Sequence, residues 1–408
     1  MSPTLKKVLL IVLLLVVAGG IAYGLYYMFT RTGAPTQPAG QYPQLPSGGQ
    51  LPSAGNRPAT TTGGAGQPVG VLPSGGVITP TGPGLYQPQA VKQITDTYVT
   101  NPSLNQAGNF RYYNAADGKF YKVAADGSIK SMSDSVFYNA QKVTWANSKD
   151  SAVIEYPDGS KIVYDFANQK QTSLPNHWQE FSFSPDGTQI AAKSLGLSPD
   201  NQFLITTNVD ATGARIIEPM GDNADQVTVD WSPNKQVVAF SQTGEPLGSE
   251  RREVLLIGLN GENFKSLTVE GLGFQPQWST TGDKLIYSVY SSRSDYKPEL
   301  WVVDSSGNNI GNNRKMLGLD TWADKCTFSN DTTLYCAVPR DLPQGAAMAR
   351  EIANDSVDDL YKIDLKTGLK TIIPLNGDYN INNISYNQAQ NAVEFTDLNQ
   401  SGIFQTKL

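Results

Sequence analysis

Two cysteines, one histidine and a few groups of acids are the residues here whose chemistry depends on their neighbours. Cys326 and Cys336 flank a short polar stretch centred on Asp331. In a symmetric hairpin, residues equidistant from the centre face each other, so Cys326 lies opposite Cys336. Directly opposed residues have Cβ atoms ~4.5–5.5 Å apart, slightly above the ~3.8 Å typical of a disulfide. The pair is read as a structural disulfide; the other reading is two buried thiols acting as small apolar side chains. His177 is the single histidine, so it is the one candidate base for a Ser-His-Asp triad. No GxSxG elbow accompanies it and no hydrolase-sized domain follows, which leaves a surface or interface histidine. One His and two Cys are too few for a Cys/His zinc site, which takes three or four protein ligands. Asp222 with Asp225, and Asp355 with Asp358 and Asp359, are paired carboxylates. Neither run matches the calcium-loop spacing, so both are read as solvated loop acids. No Walker-A or dinucleotide glycine motif appears. No metal and no cofactor is expected, and no catalytic residue is assigned.

Charge separates the chain into parts. The 408 residues carry 31 basic and 37 acidic side chains. Residues 1–95 contain no Asp or Glu, and their only bases are Lys6, Lys7, Arg31, Arg57 and Lys92. The remaining 26 bases and all 37 acids give residues 96–408 a net charge of −11. Such a region repels phosphate, so nucleic acid is a poor partner.

Val8 to Phe29 is a run of 22 uncharged residues. As a helix, at about 1.5 Å per residue, it spans roughly the ~30 Å hydrocarbon core. Tyr23, Tyr26 and Tyr27 sit at its far end, where amphipathic rings favour the interface. Lys6 and Lys7 favour a cytoplasmic N-terminus, residues 1–7, with the rest exported. A cleaved signal peptide, with cleavage near Ala18–Gly20, is the alternative, but the apolar run continues past that point. The expectation is a signal anchor over 8–30 and an extracytoplasmic remainder in the periplasm or on the cell surface.

Residues 31–90 read as a disordered linker. Positions 32–90 hold 11 Pro and 13 Gly with Arg57 as the only charge. Such a composition buries too little apolar surface to offset ordering. Its near-repeats, LPSGG at 45–49 and 72–76 and LPSAG at 51–55, are low-complexity drift. As a flexible coil this stretch has an r.m.s. span of about 40–45 Å.

Residues 91–408 repeat. An aromatic or apolar anchor, a polar turn and an apolar alternation recur, most clearly in FSFSPDGTQIAAK (181–193), VDWSPNKQVVAFS (229–241) and PQWSTTGDKLIYSV (276–289). Fainter copies place the anchors at Leu104, Trp145, Phe183, Trp231, Trp278, Phe328 and Tyr386. Each copy reads as a hairpin: Pro185 presets φ for a turn and Gly187 permits positive φ. A second hairpin often follows, as in KFYKVAADGSIKSM and LYKIDLKTGLKTI, making four strands per repeat. Seven anchors over 318 residues give about 45 per repeat, the length of a propeller blade. One segment with helical period, GAAMAREIAN (345–354), is read as a short inserted helix.

The S-P-D-G turn after an aromatic resembles the TolB-like, WD-repeat-like propeller repeat. It is complete at Ser184-Pro185-Asp186-Gly187 and partial at Ser232-Pro233-Asn234 and Ser279–Asp283. The resemblance implies an all-β propeller of seven four-stranded blades, or six if Leu104 is no anchor. That family includes periplasmic envelope proteins and the propeller halves of some serine peptidases. The last repeat ends on its third strand, GIFQTKL (402–408), so its fourth must come from elsewhere; VKQIT (91–95) is the candidate.

The connections between second and third strands are long in three repeats, at 242–253, 290–299 and 338–359. Long loops on a rigid scaffold are where binding concentrates. Tyr and Arg are enriched at binding hot spots, which selects Arg251, Arg252, Tyr290, Arg293, Tyr296 and Arg340 as binding candidates. The chain therefore reads as an anchored binding scaffold for an envelope or cell-surface protein or polymer. The alternative is a glycan hydrolase or lyase with carboxylates in the central channel.

Overall fold

The structure is a computed structural model that describes residues 77–78, 90–124, 126–262 and 264–408. The expected membrane helix over 8–30 lies outside these residues. Among the described residues no helix is long and apolar enough to cross a membrane.

Seven antiparallel sheets form a seven-bladed propeller. Blade 1 comprises Thr100–Leu104, Phe110–Asn114, Lys119–Val123 and Ile129–Ser131. Blade 2 runs from Lys142–Trp145 to Lys170–Leu174, and blade 3 from Trp178–Phe183 to Arg215–Pro219. Blades 4 and 5 begin at Val227–Val229 and Leu272–Trp278. Blade 6 begins at Cys326–Asn330, and blade 7 at Ile381–Asn387. The first strand of each blade is innermost, since first strands meet first strands across the seams. Leu104 thus ends a genuine inner strand, which decides for seven blades over six.

Each seam between sheets has its own apolar cluster. Tyr113 and Phe120 of blade 1 pack on Ile154 and Tyr164 of blade 2. Phe240 of blade 4 stacks on Trp278 of blade 5, ring centroids 5.0 Å apart. Alternation within each strand sends one face to each neighbouring blade, so both faces of a sheet are apolar.

The ring closes as the unfinished last repeat requires. Val91–Thr95 pairs antiparallel with Ile403–Lys407 and becomes the outer strand of blade 7, with Val91 opposite Thr406. Val77–Ile78, within the stretch expected to be linker, adds a fifth strand to blade 6, parallel to Lys370–Ile373.

The short turns joining first to second strands share one device. Ser184 Oγ accepts the Gln189 amide at 3.0 Å and donates to Asp186 at 2.7 Å. Ser232 repeats it with Val237 N and Asn234, and Ser279 with Lys284 N. The serine is the constant element. The left-handed residue is Gly187 in blade 3 and Gly282 in blade 5, but Lys235 in blade 4.

Two local expectations change. The segment 345–354 forms only a 3-10 turn at Arg350–Ala353, because Ala346 and Ala353 are drawn individually against Trp322. The connection 242–253 is itself a small hairpin: Pro246–Gly248 pairs with the start of Arg251–Gly258.

Candidate functional site

The propeller has a turn face, with the short first hairpins, and a loop face, with the long connections. On the turn face the inner strands end around a pocket of about 540 Å³. Trp145, Phe183, Trp231, Trp278 and Phe328, anchors of blades 2 to 6, all line it. They serve core and pocket alike: Trp231 and Trp278 are buried yet form the pocket wall, and Trp145 is half-exposed.

Links between neighbouring blades hold the wall. Trp145 Nε1 donates to the Asn101 carbonyl of blade 1 at 2.8 Å. The Trp231 amide donates to Ser182 Oγ of blade 3 at 2.9 Å. Gln277 Nε2 donates to the Cys326 carbonyl of blade 6 at 3.0 Å, and the Tyr386 amide to Thr327 Oγ1 at 3.2 Å. Lys235 bridges to Asp186 at 2.6 Å at the rim. The geometry is therefore set by the ring as a whole rather than by one blade.

One carboxylate, Asp230, lies in this lining, and no Lys, Arg or His does. Enclosure by protein pushes its carboxyl up to about 7, against a smaller opposite pull from the Trp278 indole N–H. That N–H acts on Asp230 but makes no hydrogen bond of ordinary geometry; Trp231 Nε1 and Gln277 Oε1 are likewise buried without one. A buried polar atom left in this state costs about 1–3 kcal/mol, so the mouth is a place where stability is given up. Asp230 directly precedes the Trp231 anchor, as Thr144 and Gln277 precede Trp145 and Trp278, but that position marks a site only once the ring brings these residues to one pocket.

The loop-face candidates are largely occupied by their own chain. Tyr290 and Tyr296 meet with ring centroids 6.3 Å apart. Arg293 reaches Glu270 at 3.7 Å, and Arg251 sits opposite Glu270 in the blade 4 sheet. These four therefore gather at the seam of blades 4 and 5. Arg252 is a strand residue opposite Val269. Arg340 is held away by Asp359 at 2.8 Å and Asp378 at 2.9 Å. The loops themselves are knitted together: Ser292 binds Glu250 through N and Oγ, and Gly345 N and Ala347 N donate to the Asp295 and Tyr296 carbonyls.

The remaining sequence candidates separate. Cys326 and Cys336 are opposed in register and joined as a disulfide, Cα–Cα 4.0 Å, within the seam of blades 5 and 6. His177 is exposed, its ring edge-on to Trp178. Asp222 and Asp225 are exposed. Asp355 is exposed too, but Asp358 is buried on Lys325 and Asp359 is paired with Arg340. The reading of 355–359 as solvated acids thus fails at Asp358, because strand alternation turns it inward. Two carboxylates share a groove of about 580 Å³ between blades 2 and 3, Glu155 and Glu180, where Lys142, Lys161 and the buried Lys193 surround them. Among the described residues no group of three or more His, Cys, Asp or Glu is placed to hold a metal.

No family model and no curated protein sequence matches the chain. Solved structures match by fold. An oligogalacturonate lyase in complex with manganese superposes with TM-score 0.53 at 12% identity, covering 78% of this chain and 93% of its own. The Myceliophteria thermophila Cps50 (Swd1) β-propeller domain gives 0.53 at 10% identity, covering 78% and 99%. The tricorn protease gives 0.50 at 10%, covering 79% of this chain, which spans about a third (34%) of the protease chain. One neighbour is named a lyase, one a protease and one a propeller domain, so what they share with this chain is the β-propeller fold.

Proposed function

We propose that this protein is a membrane-tethered, extracytoplasmic binding scaffold whose propeller engages an envelope or cell-surface protein at the axial mouth of the turn face. The observation that carries the reading is the convergence of five aromatic anchors from consecutive blades on one pocket of about 540 Å³. The lining is mixed: ten of its eighteen residues are polar, Asn147, Ser182 and Gln277 among them, and a concavity that sets convergent polar groups between aromatic walls suits recognition of a polypeptide. The tether rests on the uncharged run 8–29 and the Pro/Gly-rich stretch behind it. A disulfide in the folded domain accords with an oxidising compartment.

The enzyme reading has less support. Glycoside hydrolysis uses a pair of carboxylates, and the axial mouth offers Asp230 alone. The carboxylates that do approach each other, Glu155 and Glu180, sit among three lysines on the other face.

The test is site-specific photo-cross-linking of the full chain in native membranes. A probe at Asn147 or Gln106, on the mouth, is expected to give an adduct that a probe at Arg293 does not. Changing Arg251, Arg252, Arg293 and Arg340 together to Glu should leave that adduct intact. Loss of the adduct in this variant, or adducts from Arg293 alone, would move the partner to the loop face.

A further inference from the structure

The axial mouth has an unbalanced electrostatic character. Its lining holds one acid and no base, and no cation contributes to the ionisation of Asp230. Around it, Asp186 and Lys235 neutralise each other, and Arg111, whose guanidinium lies 4.7 Å from the Trp145 ring centroid, is paired with Asp150 at 3.5 Å. Asp331 is engaged by Thr280 and Thr281. A lone carboxylate walled by indole and phenyl rings has lost much of its hydration without gaining a counter-charge. Such a site disfavours an anion, gains little from a purely apolar group, and gains most from a cation. The attraction is larger than in water because the walls lower the local dielectric. The same walls suit an apolar stem behind the charge, as Lys and Arg side chains possess. At the entrance Gln106, Thr144 and Asn147 supply amide and hydroxyl groups, which match the backbone of a polypeptide.

Resting on the scaffold reading above, we infer that the axial mouth takes a lysine or arginine side chain of the partner polypeptide, its cationic head on Asp230 and its stem against Trp231 and Trp278. The −11 net charge of residues 96–408 favours the approach of a basic segment.

The experiment titrates the full chain with N-acetyl-lysine methylamide, its arginine and norleucine counterparts, and n-butylammonium, followed by indole fluorescence and calorimetry. The lysine and arginine probes are expected to bind saturably, and norleucine roughly tenfold more weakly. Asp230→Asn should weaken the two cations by a similar factor and leave norleucine unchanged. Wild-type affinity for the cations should also fall as pH drops from 8 to 5.5, a readout that needs no variant. Equal binding of lysine and norleucine, no binding of either cation, or undiminished binding by Asp230→Asn would overturn the inference. Equal binding of n-butylammonium and the lysine probe would overturn the polypeptide source. A mouth-specific cross-link that persists while the cation probes fail would sink this inference and leave the scaffold reading standing.

Discussion

Gly402 lies directly against Thr95: a Cβ at Gly402 would run into the Thr95 carbonyl oxygen, and its φ of 113° is one that L-residues rarely adopt. Gly402 introduces Ile403–Lys407, and Thr95 ends the strand that closes the ring, with Thr95 opposite Ile403. Gly402→Ala is therefore expected to cost about 2–3 kcal/mol from backbone strain alone, a drop of roughly 3–5 °C in the melting temperature for a domain of this size. Removing 402–408 takes away a strand that pairs on both sides, with Ala392–Asp397 and with Val91–Thr95. The deletion should lower the melt further than Gly402→Ala. Thermal unfolding followed by far-ultraviolet dichroism checks both, and an unchanged melt for the deletion would disprove closure through this seam.

Lys325 and Asp358 form a buried pair, both carboxylate oxygens 2.8 Å from Nζ, with 5% and 3% of the residues exposed. Asp358 also accepts the Ile381 amide at 2.6 Å, so the pair fastens blade 6 to the first strand of blade 7. Burial pushes Asp358 up and Lys325 down, each against the pull of its partner. The desolvation penalty is thus only partly repaid by attraction. Lys325→Met should cost about 3–5 kcal/mol by leaving a buried charge alone. Lys325→Met with Asp358→Leu should recover much of that loss. Chemical denaturation of the three proteins measures the coupling, and additive losses in the double variant would contradict it.

Cys326 and Cys336 stand opposite each other inside the apolar seam of blades 5 and 6. The mass of the denatured protein should rise by two hydrogen atoms on reduction, as the reductant supplies two electrons and two protons to the Cys326–Cys336 bond. In the folded protein both residues are buried, so reduction should be slow until the domain opens. Changing both to Ala should cost about 2–3 kcal/mol, the range for a short closed loop. Rapid alkylation of native protein without reductant would show that the bridge does not form.

The propeller repeat, the tight turns, the cysteine register and the closing strand were legible in the sequence, because each rests on local rules, whereas the choice between six and seven blades waited on where Leu104 sits in the ring. Alternation fixes which residues share a face, Ser-Pro-Asp-Gly fixes a turn, and a missing fourth strand leaves an edge that must be covered. The mouth was not legible. Asp230 is an unremarkable acid in sequence; its character comes from Trp278 and Trp231, brought around it by the curvature of seven blades. The pairing of Arg340 was hidden for the same reason. Its partner Asp378 belongs to the next blade connection, and only the fold places them together. Residue type pointed to the loop face, whereas desolvation of one carboxylate, a property of the closed ring, points to the turn face.

Asp230 also makes a prediction about stability and pH. Its folded carboxyl is raised to about 7 by enclosure, whereas an unfolded Asp titrates near ~3.9. Between about pH 4 and 7 the folded chain holds a proton that the unfolded chain has released, so this residue makes stability fall as pH rises through that window. Above about 7 the full cost is present. The side chain keeps some exposure, so a cost on the order of 2 kcal/mol is expected rather than the ~4 kcal/mol that the full shift converts to. Asp230→Asn removes it. Asp186, held well below the usual carboxylate range by Lys235 and its own turn hydroxyls, has the opposite sign and acts below pH 4, outside the window. Burial raises Glu394 and Glu155 as well, so the informative quantity is the difference between wild type and variant. That difference should be near zero at pH 4 and grow in favour of Asp230→Asn up to pH 8. Melts of both proteins across this range measure it, and a difference that does not change with pH would show that Asp230 is not desolvated by the ring.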